Sequence, residues 1–251
     1  ILQFSRKESH MFFILPGFDI ILWVYLIAAL GPAIYLMGYI YNQDEIEKEP
    51  GWLLWRCIGM GVLAALFAIV LEMIGDEVLD LSPIRQDSVI GVMLSAYLVV
   101  AVVEEGMKYL LMGKATWNNP NFNCRFDGIV YAAFTSLGFA AFENVGYVFR
   151  YGMGTALTRA FTSIPGHLGF SVLFGCFYGR ARLAANEGRK GKAAFELIFG
   201  YILAVFLHGT YDTCAMIQSG KSTLIFVAII IVLYIIVFRL VKHESRTDRF
   251  I

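Results

Sequence analysis

The apolar runs of this chain hold side chains that lipid rejects: Arg56, Glu72, Glu104, Glu105, Lys108, Glu143, His167, His208 and Asp212. A charge at the centre of a bilayer costs about 2.5–3.5 kcal/mol on insertion scales, so such residues face a bundle interior and act there. Arg56 and Glu72 lie near the ends of their runs, where a long stem carries the charge to the interface, and a structural role covers both. The others carry chemistry. In Val102-Val103-Glu104-Glu105-Gly106-Met107-Lys108, Glu104 and Lys108 stand on one helical face, with Glu105 about 100° round from Glu104. A Glu–Lys pair neutralises one carboxylate. The other has no partner on its own helix and suits a general base. Phe139-Ala140-Ala141-Phe142-Glu143 sets a further carboxylate deep in the next run, followed by Asn144. His167 comes after Pro165-Gly166, and His208 and Asp212 share a face at the spacing with which an Asp orients a His or ligates beside it. Taken singly, each His also reads as an interhelical hydrogen-bond donor. Together, two imidazoles and several carboxylates match a catalytic zinc set that keeps a position open for water. There is no HExxH, so such a set has to converge from separate helices.

Elements of about 20 residues, the length that crosses a hydrocarbon core, must position these groups. Charge-rich breaks separate seven such runs: Ile20–Tyr41, Trp52–Gly75, Val89–Gly113, Gly128–Tyr151, Ser163–Ala184, Ala193–Gln218 and Ser222–Val241. Asn42–Pro50 is acidic and ends in Pro-Gly, Thr116–Asp127 holds an Asn-Asn-Pro-Asn turn cluster, and Ala185–Lys192 is polar and basic. The expected fold is all-α: a polytopic transmembrane bundle of about seven spanning helices, with no internal repeat. It forms one domain over 19–242, after an N-terminal extension (1–18) and before a tail (243–251). Ile1 to His10 differ from the hydrophobic start at Met11 and read as an upstream or expression-derived extension. Lys and Arg collect at Arg180, Arg182, Arg189, Lys190 and Lys192, and again at Arg239, Lys242, Arg246 and Arg249. Seven crossings put both groups on one side, which becomes the cytoplasm and leaves the N-terminus outside. Arg6 and Lys7 argue the other way if they are native. In this topology Glu143, His167, His208 and Asp212 fall in the outer half. Glu104 lies deeper, about 15 residues into its run at about 1.5 Å each, unless the third helix begins outside the membrane near Leu81–Asp87.

Composition agrees with a membrane setting. Of 251 residues, 58% are hydrophobic and 16% charged, and the mean hydropathy is +0.66. Soluble domains carry about one quarter charged residues, so a soluble enzyme, a nucleic-acid binder and a disordered scaffold are all disfavoured. Twenty basic and twenty acidic residues balance, leaving no net field to recruit nucleic acid. The 24 glycines and 15% aromatics fit spanning helices packed through small residues; Gly166, Gly169 and Gly175-x-x-x-Gly179 would permit close approach. Cys57, Cys124, Cys176 and Cys214 show no CxxC spacing, which argues against a disulfide framework or a cysteine zinc site. No cleavable signal peptide stands out, because the first run is interrupted by Pro16-Gly17 and Asp19 and then outlasts an h-region. A proton- or cation-coupled transporter is the rival reading of buried Glu, His and Asp. It lacks an inverted repeat and paired broken helices. A non-catalytic scaffold would bear the cost of buried acids to no end, and a retinal-type receptor fails because Ser222–Val241 contains no lysine.

Glu104-Glu105-Gly106-Met107-Lys108, Phe139 to Glu143, His167, and His208 to Asp212, in that order, resemble the signatures of the PrsW family of intramembrane proteases, relatives of the CAAX-protease and bacteriocin-processing group. The resemblance covers the third to sixth runs. It implies peptide-bond hydrolysis in or near a bacterial plasma membrane, with a single-pass membrane protein of the anti-sigma-factor kind as substrate. It leaves the chemistry open between a metalloprotease and a metal-independent glutamate protease. On the first, Glu104 is the general base, with Glu105 the next candidate. Glu143, His167 and His208 hold a zinc ion, and Asp212 is a partner to His208 or an alternative ligand. Lys108 balances the Glu pair. On the second, the same histidines donate hydrogen bonds to the developing oxyanion.

Overall fold

The computed structural model describes residues 16–217 and 219–251. The regular elements among them are helices: α1 (Pro16–Gln43), α2 (Gly51–Asp80), α3 (Val89–Leu94), α4 (Val102–Thr116), α5 (Asp127–Tyr151), α6 (Met153–Phe161), α7 (Ser163–Asn186), α8 (Lys190–Ile217) and α9 (Gly220–Arg246). A π-helical stretch, Ser95–Ala101, runs from α3 straight into α4. Seven continuous spans are long and apolar enough to cross a membrane, α3 to α4 counting as one and α6 to α7 as another. Hydrocarbon offers the backbone no partners, so each apolar run bonds to itself as a helix. The spans follow the seven expected runs with most ends shifted by a few residues; α2 continues to Asp80, past the expected end at Gly75, and the span that includes α7 begins at Met153, ten residues before the expected Ser163. Of the expected extension, residues 1–15 lie outside the described residues, and α1 opens on Pro16, where the missing N–H is no loss.

The spans are not equivalent. In their most apolar windows α5 is 78% buried and the α6–α7 span 67%, against 17% for α9 and 22% for α1. The α5 and α7 helices are therefore the axle, and the others form a ring with Trp23, Ile27, Trp55, Phe67 and Leu224 turned outward. Glycine permits the central contact: a Cβ on Gly175 would stand 2.6 Å from Ile129 Cα, and one on Gly128 would stand 2.6 Å from Gly175 O. The four cysteines are free, as their spacing implied.

Two local features depart from the expected pattern. The segment after Tyr151 is helical: Gly152, at φ 87°, turns the chain into α6. Met153, Ala156, Leu157, Ala160 and Phe161 recur at helical spacing, giving α6 one apolar face and leaving Arg159 on another. The π-helical stretch lies just before Glu104 and is tied to α8 by Tyr97 Oη and Thr210 Oγ1, 2.6 Å apart. At the opposite end, the last residues are stitched to the α4–α5 loop. Arg125 N donates to Arg249 O, Ile251 N to Asn123 O, and Phe126 N to Asp248 Oδ1.

Candidate active site

Six helices contribute to one cluster, with α4, α5, α7 and α8 at its centre and α2 and α6 at its edge. From α4, Glu105 and Lys108 are completely buried and Glu104 almost so; α7 brings His167 and α8 brings His208. Lys108 sits at the centre. Its Nζ donates to Glu104 Oε2 at 3.0 Å, Glu105 Oε1 at 2.9 Å and His167 Nδ1 at 3.1 Å. It also lies 4.0 Å from the centroid of the Phe139 ring, on α5. The i, i+3 and i, i+4 spacing brings both carboxylates to one ammonium, so the second carboxylate, expected to have no partner on its own helix, shares Lys108 with the first.

The imidazoles are held from both sides. An ammonium can only donate, so His167 Nδ1 accepts from Lys108 and Nε2 carries the proton, which it donates to Glu143 Oε2 at 3.2 Å. The Ser136 hydroxyl donates to the His167 carbonyl at 3.0 Å, fixing that turn of α7 against α5. His208 places Nδ1 2.8 Å from Glu105 Oε1 and Nε2 3.2 Å from Asp212 Oδ2, one helical turn along α8. Phe170 stacks on its ring with centroids 5.0 Å apart. Each histidine thus turns Nδ1 inward and Nε2 to an outer carboxylate.

Donor atoms of Glu104, Glu105, His167 and His208 all lie within 4.8 Å of one another. Glu143 stands outside that group, with Oε2 shared between His167 and Arg159 Nη2, the latter at 2.7 Å. Sequence reasoning did not single out Arg159, since it falls between two spanning runs. It reaches the site because α6 folds back: Nε donates to Asn144 Oδ1 at 3.0 Å and the guanidinium lies 3.9 Å over the Tyr147 ring. The five-residue apolar spacing of α6 was the available signal. Glu72 was read as an interfacial side chain. With α2 reaching Asp80, its carboxylate instead faces the cluster, Oε1 buried without a partner, whereas Arg56 is exposed.

Open space meets the cluster on two sides. A cavity of about 530 Å³ runs between α2 and α5, past Ala68, Phe139 and Phe142. A second, of about 400 Å³, lies beneath α6 and against α8, past Thr158, His167, His208 and Asp212. Both are lined by Glu72, Glu104, Glu143 and Tyr147; Glu105 and Lys108 line neither. This shared wall also explains the depth of Glu104. It stands about 22 Å along the helix from Val89, while Glu143 is about 12 Å from the end of α5, so α3 starts up to about 10 Å beyond its neighbour.

Comparison with known proteins follows the same residues. A family profile described as PrsW family intramembrane metalloprotease matches residues 49–240, which include every residue of the cluster. A Protease PrsW of Oceanobacillus iheyensis is 32% identical over 225 residues, 88% of this chain and 97% of the relative. One of Geobacillus kaustophilus is 32% identical over 186 residues, 74% of this chain and 76% of the relative. One of Bacillus subtilis is 27% identical over 185 residues, 74% and 79% of the two chains. No solved structure matches the chain. Seven membrane-crossing helices and bacterial relatives make this a bacterial integral membrane protein. The chain belongs to the PrsW family of intramembrane proteases.

Proposed function

We propose that the chain is an endopeptidase that hydrolyses a peptide bond in a single-pass membrane protein, with Glu104 the general base for the attacking water. The observation that carries this reading is the unequal placing of the carboxylate pair. Glu104 lines both cavities, while Glu105 is closed in by Lys108 and His208. A base must reach both the water and the carbonyl it attacks, and within the pair Glu104 has that access. Glu143 holds His167 and Asp212 holds His208, so each imidazole keeps its orientation as charge develops.

Glu105, His167 and His208 are the residues that would hold a zinc ion. Two imidazoles and a carboxylate are the right donors for a catalytic zinc, and outer carboxylates on the histidines are what orient such ligands. A zinc ion there would lower the pKa of water and polarise the carbonyl. Glu143, expected as a ligand, is here assigned to orienting His167. A second reading is favoured by the place of Lys108: the same residues act without metal, the ammonium supplying positive charge and His208 a hydrogen bond to the oxyanion. The substrate is proposed, on family resemblance, to be a single-pass protein of the anti-sigma-factor kind. It would be cut near the end of the bundle where α2, α5 and α8 finish, the outer side if the N-terminus is outside.

Reconstitution of the protein with a single-pass reporter in vesicles tests the reading. Glu104→Gln should reduce cleavage by about 10²-fold or more, measured at a temperature where its own unfolding curve shows the variant folded. Cleavage by Glu104→Gln at the parent rate would overturn it.

A further inference from the structure

The four residues whose donor atoms converge, Glu104, Glu105, His167 and His208, form a cage for a cation, and a cation is already in it. Lys108 Nζ lies 2.9–3.1 Å from an atom of each of Glu104, Glu105 and His167. The His167 lone pair at Nδ1, the one a metal would take, is spent on this ammonium. Glu105 Oε1 is shared between the ammonium and His208 Nδ1. Lys108 is completely buried, and the Phe139 ring 4.0 Å away closes a further side. An ammonium and a divalent ion cannot share His167 Nδ1, which has a single lone pair, and beside the same two carboxylates their like charges repel.

We infer that Lys108 and a divalent metal are mutually exclusive occupants of the cluster, so that Lys108 is a built-in competitor that sets how tightly the protein takes metal. The inference rests on the proposed reading of Glu105, His167 and His208 as metal donors. A metal enters when the lysine side chain swings out, and its affinity is reduced by the free energy of removing the ammonium from two carboxylates and an imidazole. Removing the amine opens the cage and leaves three donors with no internal cation. The lysine thereby decides between the two chemistries left open above: with the ammonium in place the enzyme works without metal, and without it the enzyme is a metal site.

Cobalt(II) tests this, because its visible absorption reports coordination independently of proteolysis. Chelator-treated protein in mild detergent is titrated with Co2+ for the parent and for Lys108→Met. The variant should bind at least about tenfold more tightly, a difference of about 1.4 kcal/mol. Adding His208→Ala to it should abolish the gain. Should Lys108→Met fail to fold because two carboxylates lose their partner, the charge-balanced pair Glu104→Gln and Glu104→Gln/Lys108→Met replaces it, with the same gain expected. Equal binding by parent and Lys108→Met would overturn the inference while leaving the zinc reading standing. No binding by either folded protein would overturn both, and would leave the Glu104 protease reading to its own cleavage test.

Discussion

Glu104 and Glu105 are chemically identical neighbours that the helix turns to different surroundings. The rotation of about 100° per residue puts one against two cavities and the other into a sealed contact with Lys108 and His208. Their isosteric amides should therefore fail differently. Glu105→Gln removes an anion from a buried pair, a loss of about 3–5 kcal/mol, and should lower the thermal midpoint sharply. Glu104→Gln should lose cleavage with a smaller fall in midpoint, because Glu104 is bonded to Lys108 but stands 4.0 Å from His208. Thermal unfolding followed alongside cleavage separates the two, and a Glu105→Gln protein as stable as its parent would contradict the sealed placing. The Glu104–Lys108 pair was legible in the sequence, because i, i+4 spacing puts both on one face, whereas the sharing of Lys108 with Glu105 at i, i+3 was passed over. The roles of Glu143 and Arg159 were not legible. They depend on which nitrogen of His167 faces outward, and that is set by Lys108 from another helix.

At the level of elements, α6 is what a search for long apolar runs passes over. Nine residues cannot cross a bilayer, yet they roof the smaller cavity and bring Arg159 to Glu143. Arg159→Met should cut cleavage about tenfold or more, in line with losses seen when a group that orients a reacting residue is removed. Arg159→Lys should recover part of it, since a lysine restores the charge without the fork that reaches Glu143 and Asn144 together. Unchanged cleavage by Arg159→Met would show that His167 keeps its place without this support. The π-helical stretch was illegible for a different reason. It is tied across to α8 by Tyr97 and Thr210, a tertiary contact that no local pattern in Ser95–Ala101 encodes.

Across the whole molecule, hydropathy made the seven crossings legible, while the central place of α5 and α7 comes from glycine contacts between them. The end of the bundle away from the site has an electrostatic character of its own. In the α1–α2 connection, burial pushes the Asp44 carboxyl up to about 6, with Asp248 and Glu47 adding repulsion against the opposing pull of Lys48. Burial pushes Glu49 up to about 7, with the Asp44 and Glu47 charges in the same direction and the Tyr131 hydroxyl and the Asp127 side chain opposing. Both groups hold protons in the folded protein at a pH where the unfolded chain has released them. Their contribution to stability is full below about pH 4 and is lost as pH rises through about 6 and about 7. The thermal midpoint should fall between pH 5 and 8, and the fall should be smaller in Asp44→Asn; a midpoint flat over that range would count against the buried pair.

The two cavities meet at one wall, and Glu104 is part of it. A hydrolase inside a bilayer has a supply problem, because its co-substrate is water and its other substrate arrives from oil. With Glu104 as the proposed base, two doors onto one carboxylate would let these enter by separate routes, and would let the two halves of a cut chain leave without passing each other. A bulky side chain at Ala68 would narrow one door and one at Ala215 the other. The site would in this sense be a junction rather than a pocket, and its traffic could be stopped in one lane at a time.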